Sequence, residues 1–140
     1  MDTRCVAAAL VVVGVTSGGE VGRARQASDT ALYTCADRTE SEAMIAGTTL
    51  CTANPTETLT ARAETDNLQV RSGALVVDVE TGGIAAIAGL TVGDLIYRVG
   101  GVDVNEAGAA TERLGTVGTN ADTVVNFLRR GRPYRVKLRR

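Results

Sequence analysis

The stretch GLTVGDLIYRVGGVDV, residues 89–104, decides the fold of this chain. An apolar run, LIYRV, is framed by Gly-Asp at its start and by Gly-Gly at its end. Gly93 and Asp94 favour a turn in which the Asp94 carboxylate accepts hydrogen bonds from backbone N–H groups, and Gly100-Gly101 favours a tight chain reversal. The pattern therefore predicts a β-strand between two tight turns, followed by a short return strand, VDV.

Composition predicts one domain with an aliphatic core and argues against catalysis. The 140 residues are 44% hydrophobic but only 3% aromatic, and this length suits a single domain. The absence of histidine removes the usual general base near neutral pH and the commonest metal ligand. The one lysine, Lys137, is predicted to lie on the wet face of a hairpin, which argues against a serine–lysine pair. We therefore expect a protein that is not an enzyme and uses no metal or cofactor.

Basic residues are concentrated in the last twelve residues, RRGRPYRVKLRR, which hold seven of the fifteen basic residues and no acidic one. Apolar and basic side chains alternate there: Tyr134, Val136 and Leu138 against Arg135, Lys137 and Arg139. This alternation predicts a hairpin strand with one buried face and one solvated face, whose charges discourage edge pairing. Docking on an acidic protein or a membrane surface is the alternative. Nucleic acid is not expected, because Tyr134 is the only aromatic residue interleaved with these basic residues.

The first 24 residues have the pattern of an export signal. Arg4 precedes an apolar run from Cys5 to Val15, and the small residues Gly22 and Ala24 follow at a suitable cleavage position. The run is too short to cross a bilayer. A buried N-terminal strand is the alternative, since residues 11–13 are β-branched. We expect a cleaved signal peptide, residues 1–24, and a periplasmic or secreted protein.

The cysteine count fits export. Loss of the leader would remove Cys5 and leave Cys35 and Cys51. An even pair in a small exported domain favours a disulfide, with two unpaired thiols as the alternative. Residues 25–42 are polar around a short apolar centre, so we expect a loosely structured segment that is tied down at Cys35.

Local patterns predict six further elements. They are a short strand at 44–51, a helix from Pro55 to about Asp66, a buried strand at 73–79, a helical turn at 84–88, a helix capped by Asn105 and a hairpin at 122–138. Asn54 is the expected cap of the first helix, because Pro55 suits the first helical position. Gly89 is expected to end the helical turn, where a positive φ is needed.

This order of elements resembles the PDZ domain, in the bacterial form found in Htr-type periplasmic serine proteases. The matching residues are SGALVVDV (72–79), AAIAGLTVGDLIYRVGGVDV (85–104) and LRRGRPYRVKL (128–138). The resemblance implies an α+β fold over residues 43–140. The implied architecture is a small, partly open β-barrel or sandwich of five or six strands with two or three short helices.

The resemblance also implies a binding site, because PDZ domains bind the C-terminal tails of other proteins by strand addition beside a helix. The implied carboxylate loop is Ile45, Ala46 and Gly47. The implied pairing strand runs from Thr48 through Thr49 and Leu50 to Cys51. The opposite wall is a helix carrying Ala107, Thr111 and Leu114. Two alternatives remain, namely that residues 44–52 are only a structural strand and that Leu114 belongs to the core.

The leading hypothesis is a non-enzymatic, exported module that docks C-terminal tails or exposed segments by strand addition. Its partner would be the C-terminal peptide of another protein, such as a protease or a secretion component. A second hypothesis is a regulatory domain that acts in trans on a separate serine protease. A third is a structural partner that docks through the basic C-terminal hairpin.

Overall fold

The computed structural model describes residues 31–36, 45–117 and 122–139. The expected signal peptide and the larger part of the 25–42 segment lie outside these ranges. Within them the strands are β1 (Tyr33–Cys35), β2 (Thr48–Pro55), β3 (Ala74–Val79), β4 (Leu95–Val99), β5 (Val102–Asp103), β6 (Thr123–Arg129) and β7 (Arg132–Leu138). The helices are α1 (Glu57–Ala63), α2 (Ile84–Ala88) and α3 (Ala107–Leu114). Of these described helices, not one has the length and apolar character needed to cross a membrane.

The strands form an open antiparallel sheet in the order β1-β2-β3-β4-β6-β7, with β5 paired to β4. The α+β class agrees with the prediction, but the described strands number seven rather than five or six. β1 lies in the segment expected to be loosely structured. It forms because Tyr33 buries its side chain, at 7% exposure, while the strand backbone pairs with Ala53–Pro55 of β2.

The turns around β4 are those predicted from the opening stretch. Gly89 ends α2 at φ +100°, and its N–H donates to the Ala85 and Ala86 carbonyls. The Asp94 carboxylate is buried and accepts from the Thr91 N–H at 2.8 Å. Gly100 and Gly101 both have positive φ, so the chain reverses tightly into β5. This agreement follows from the local nature of turn chemistry.

Arg129 joins this turn to the end of β6, a contact that the sequence analysis missed. Its Nε and Nη2 lie 2.9 Å and 2.8 Å from the two carboxylate oxygens of Asp94, and Nη2 also donates to the Gly89 carbonyl at 2.7 Å. The hydrogen bond to Asp94 raises the pKa of Arg129 above its usual range. Arg129 was assigned to a solvated basic tail. It instead neutralises a buried carboxylate.

The helix starts differ from the sequence prediction. Pro55 is the last residue of β2, and α1 is capped by Thr56, whose Oγ1 accepts from the Leu59 N–H at 3.3 Å. Asn54 and Pro55 stay extended because they pair with β1. The N-cap of α3 is Glu106 rather than Asn105, and it makes no side-chain cap bond. At the start of α3, the Ala107 N–H donates to Thr52 Oγ1 of β2 rather than to a capping side chain.

Alternate strand residues point to opposite faces of the sheet and form two apolar clusters. The first, on the side we call the α3 face, includes Leu50, Val76, Ile96, Val125 and Phe127 of the sheet with Ala110 and Leu114 of α3. The second, on the side we call the β1 face, contains Tyr33, Cys51, Leu59, Leu75, Leu95, Tyr97 and Leu128. Each strand in the middle of the sheet therefore contributes side chains to both clusters.

The β6–β7 hairpin keeps part of its expected alternation. Leu138 is fully buried and Val136 half-buried, while Arg135, Lys137 and Arg139 are exposed. Tyr134 was expected on the buried face but is 49% exposed. Because β7 is an edge strand, the Tyr134 ring is covered only in part, by Phe127 at a centroid distance of 5.8 Å and by the Arg129 guanidinium at 5.9 Å.

Candidate peptide-binding site

The predicted carboxylate loop is a tight hairpin turn at the start of β2. The Ile45 N–H donates to the Thr48 carbonyl at 2.9 Å, and the Thr48 N–H donates back to the Ile45 carbonyl at 3.0 Å. Ala46 and Gly47 have φ of 53° and 77°, and two central residues at positive φ are typical of a tight hairpin turn. The Thr48 hydroxyl donates to the Ile45 carbonyl at 2.7 Å. Thr48 is therefore buried with its polar atoms satisfied.

This turn offers two N–H groups rather than the expected three. The Ile45 N–H is engaged with Thr48, whereas the Ala46 and Gly47 N–H groups donate to no acceptor among the described residues. Their carbonyls are held from behind, by the Ala85 N–H at 3.1 Å and the Glu80 N–H at 2.8 Å. These bonds fix the turn, so the two N–H groups are oriented before any ligand arrives. A carboxylate is the ligand that such paired backbone donors suit.

The far end of the β2 edge is covered by β1. β1 pairs antiparallel with Ala53–Pro55, and the Ala36 N–H donates to the Thr52 carbonyl at 2.8 Å. The predicted Cys35–Cys51 disulfide is present and ties the two strands together, with a Cα–Cα distance of 5.5 Å. An added peptide whose C-terminus points toward Ala46 and Gly47 would be antiparallel to β2, as β1 is. It would lie along the same edge of β2 that β1 covers at its far end. The covered part of the edge therefore limits the length over which it can pair.

Sequence reasoning missed this cover, although one signal was available. A disulfide requires Cα atoms within about 7 Å, so pairing Cys35 with Cys51 already places the chain around Cys35 beside the proposed pairing strand.

The opposite wall is α3, which is docked on β2 by a hydrogen bond from the Ala107 N–H to Thr52 Oγ1 at 3.1 Å. Ala107 and Thr111 are half-buried, whereas Leu114 is 1% exposed and lies in the core. This agrees with the alternative interpretation of Leu114. Thr111 is half-buried rather than fully exposed, because α3 lies close against the sheet.

The predicted site residues therefore fall into two groups. Thr48, Leu50 and Leu114 are buried; Ile45, Ala46, Gly47, Thr49, Ala107 and Thr111 are half-buried. The half-buried alanines Ala46 and Ala107 pack against the α3-face cluster, so the turn and the helix share one support. Two cavities of about 370 Å³ each lie elsewhere on the protein. None of the predicted site residues lines either of these cavities.

Comparisons with known proteins agree with the fold. Neither the family models nor the curated proteins yielded a match. Among solved structures, 53 chains match, including one described as "HtrA-type protease AlgW with decapeptide" at a TM-score of 0.52 and 20% identity. That match covers 67% of this chain but 27% of the protease chain. The likeness shows the fold alone, and the open sheet with three described helices is consistent with the PDZ-like fold that the sequence resemblance implies.

Proposed function

We propose that this protein is a non-enzymatic peptide-binding module that docks the C-terminal tails or exposed segments of partner proteins. The observation that carries the proposal is the placement of the Ala46 and Gly47 N–H groups at the start of β2, the strand on which α3 docks. The likeness to a protease chain whose description includes a decapeptide supports the same function.

In the proposed complex the terminal carboxylate accepts hydrogen bonds from Ala46 and Gly47, and the peptide lies along Thr48–Cys51. Its side chains face the helix that carries Ala107 and Thr111. The edge already makes backbone bonds, from Ile45 to Thr48 and from Ala36 to Thr52. Some hydrogen bonds between the peptide and β2 therefore replace existing backbone bonds of the protein rather than add to them. The groove also buries little apolar surface. Affinity is accordingly weak, on the order of micromolar or poorer.

The proposed location is the periplasm or the cell exterior. The Cys35–Cys51 disulfide supports it, because disulfides persist in oxidising compartments. The cleaved leader, residues 1–24, belongs to the same proposal. N-terminal sequencing of the native protein tests it, and an intact Met1 contradicts it.

A second candidate function is regulation in trans of a separate serine protease. The likeness to about a quarter of an HtrA-type protease chain favours it over the other alternative, docking through the basic hairpin. Activity of a partner protease that changes on addition of this chain, with no peptide bound by the chain itself, would support the regulatory function.

The test is a titration of the oxidised protein with a peptide library ending in apolar residues, followed by backbone amide NMR. The free-acid peptide is expected to shift the Ala46 and Gly47 amides, and amidation of its C-terminus is expected to weaken binding. Thr111→Arg should block the groove, and Glu112→Arg, on the exposed side of the same helix, is the matched control. Equal binding of free and amidated peptides would exclude the carboxylate role of the turn. No binding at millimolar peptide would exclude the proposed function.

A further inference from the structure

A cavity of about 370 Å³ opens on the β1 face, away from the candidate peptide groove. It lies between β1, β3, the turn before β4 and the β6–β7 turn. Its walls are mainly aliphatic, from Leu32, Leu75, Val77, Val92 and Leu128, with Tyr33 completing one side. This volume falls within the range of about 300–1,000 Å³ that is typical of small-molecule sites.

One charged residue, Arg130, lines the cavity. Its side chain makes no ion pair or hydrogen bond with any described residue, whereas its neighbour Arg129 is engaged with Asp94. Arg130 is exposed, so its positive charge stays in contact with solvent beside the cavity. The site therefore combines apolar walls with a single positive charge that the described protein leaves unneutralised.

We propose that this cavity binds a linear aliphatic carboxylate, with the hydrocarbon tail against the β1 face and the carboxylate on Arg130. The apolar walls favour a hydrocarbon, and the planar guanidinium matches a carboxylate in two-pronged hydrogen bonding. A neutral hydrocarbon would leave Arg130 without a role. A peptide strand has nothing to pair with here, because both edges of β3 are already occupied by β2 and β4.

The inference does not rest on the proposed peptide function, since the two sites lie on opposite faces of the sheet. β1 contributes to both. Its backbone covers part of the β2 edge, and Leu32 and Tyr33 at its start line the cavity.

The first experiment titrates the full oxidised chain with octanoate and with octanol, followed by backbone amide NMR. Octanoate is expected to bind saturably and to shift the amides of Leu32, Val77 and Gly131. Arg130→Gln should weaken octanoate binding by about fivefold, the size of effect expected for an exposed ion pair, and leave octanol binding unchanged. Arg132→Gln is the matched control, because it removes the same charge two positions along the chain, at the start of β7, from a residue that does not line the cavity.

Equal weakening by Arg130→Gln and Arg132→Gln would overturn the proposal, and so would the absence of saturable shifts at millimolar octanoate. Octanoate shifts confined to Ala46, Gly47 and α3 would also overturn it, since they would assign the carboxylate to the peptide groove. Val77→Phe is a second variant that fills the cavity. It should weaken octanoate and octanol together and leave C-terminal peptide binding unchanged, which separates failure of this proposal from failure of the peptide site.

Discussion

On the α3 face the sheet is covered by an eight-residue helix, whereas on the β1 face the apolar cluster is completed by Tyr33 of the three-residue edge strand and by Leu59 of α1. The helix packs Ala110 and Leu114 into the sheet, and the proposed peptide groove lies at its border with β2. The short strand covers less and leaves an open cavity beside Leu32 and Tyr33. β1 therefore affects both proposed sites. It shortens the edge of β2 at which a peptide would pair, and it forms one wall of the cavity beside Arg130.

Leu114→Ala is expected to have the largest effect, because Leu114 is 1% exposed on the α3 face. Removing a buried leucine side chain leaves a cavity and should lower the free energy of unfolding by about 2–5 kcal/mol. Urea unfolding measures this loss. Ile87→Ala, at a residue that is 79% exposed, is the control and should cost about 0.5 kcal/mol or less. A small stability loss accompanied by weaker peptide binding would instead make Leu114 a residue of the groove.

Removal of the disulfide tests whether β1 opens independently of the α3 face. The bridge spans 16 residues, and closing a loop of that size stabilises the fold by about 3 kcal/mol in the chain-entropy model. In Cys35→Ala/Cys51→Ala, hydrogen exchange should accelerate more at the Ala36 amide, which bonds to Thr52, than at Val125 in β6. Octanoate binding should weaken as well, because β1 lines the cavity. Equal acceleration at both amides would mean that β1 and the α3 face open together.

Arg129→Gln tests the ion pair that joins the turn before β4 to β6. Asp94 is 1% exposed, so loss of the guanidinium leaves a buried carboxylate with the Thr91 N–H as its remaining described partner. Breaking a fully buried pair costs about 3–5 kcal/mol. We expect a smaller loss, about 2 kcal/mol, because the Arg129 side chain is 37% exposed and screened by solvent. Arg129→Lys should recover part of the stability, since it restores the charge without the fork geometry. Full stability of Arg129→Gln would contradict a stabilising role.

These residues also show what the sequence determines locally and what it does not. The turn through Gly89 and Asp94 was predicted because the hydrogen bonds of the Gly89 N–H and of the Asp94 carboxylate to Thr91 join residues three or four positions apart. The pairing of Asp94 with Arg129 joins residues 35 positions apart and was missed. Pro55 was assigned to a helix on a local rule that pairing with β1 overrides. The candidate groove followed from the resemblance, whereas the cavity beside Arg130 exists only once β1, β3 and the β6–β7 turn meet in space.

Tyr33→Phe is expected to have the smallest effect and to depend on pH. Burial raises the pKa of Tyr33 above its ordinary value of 10.0. Below that value the phenol is protonated in both folded and unfolded chains, so its contribution to stability is fully present. As pH rises past 10.0, the unfolded chain ionises first, and this contribution is lost as the pH passes through the higher pKa of the folded state.

At neutral pH the variant should lose about 1 kcal/mol, because the Tyr33 hydroxyl accepts from the Arg71 N–H at 3.2 Å and donates to the Gln69 carbonyl at 3.4 Å. Urea unfolding from about pH 8 to about pH 11 should then show the difference between wild type and Tyr33→Phe shrinking as the pH rises. A difference that stays constant over this range would contradict the assignment. Because phenylalanine preserves the ring that lines the cavity, octanoate affinity should stay unchanged at neutral pH, and this separates the hydrogen bonds of β1 from its role as a cavity wall.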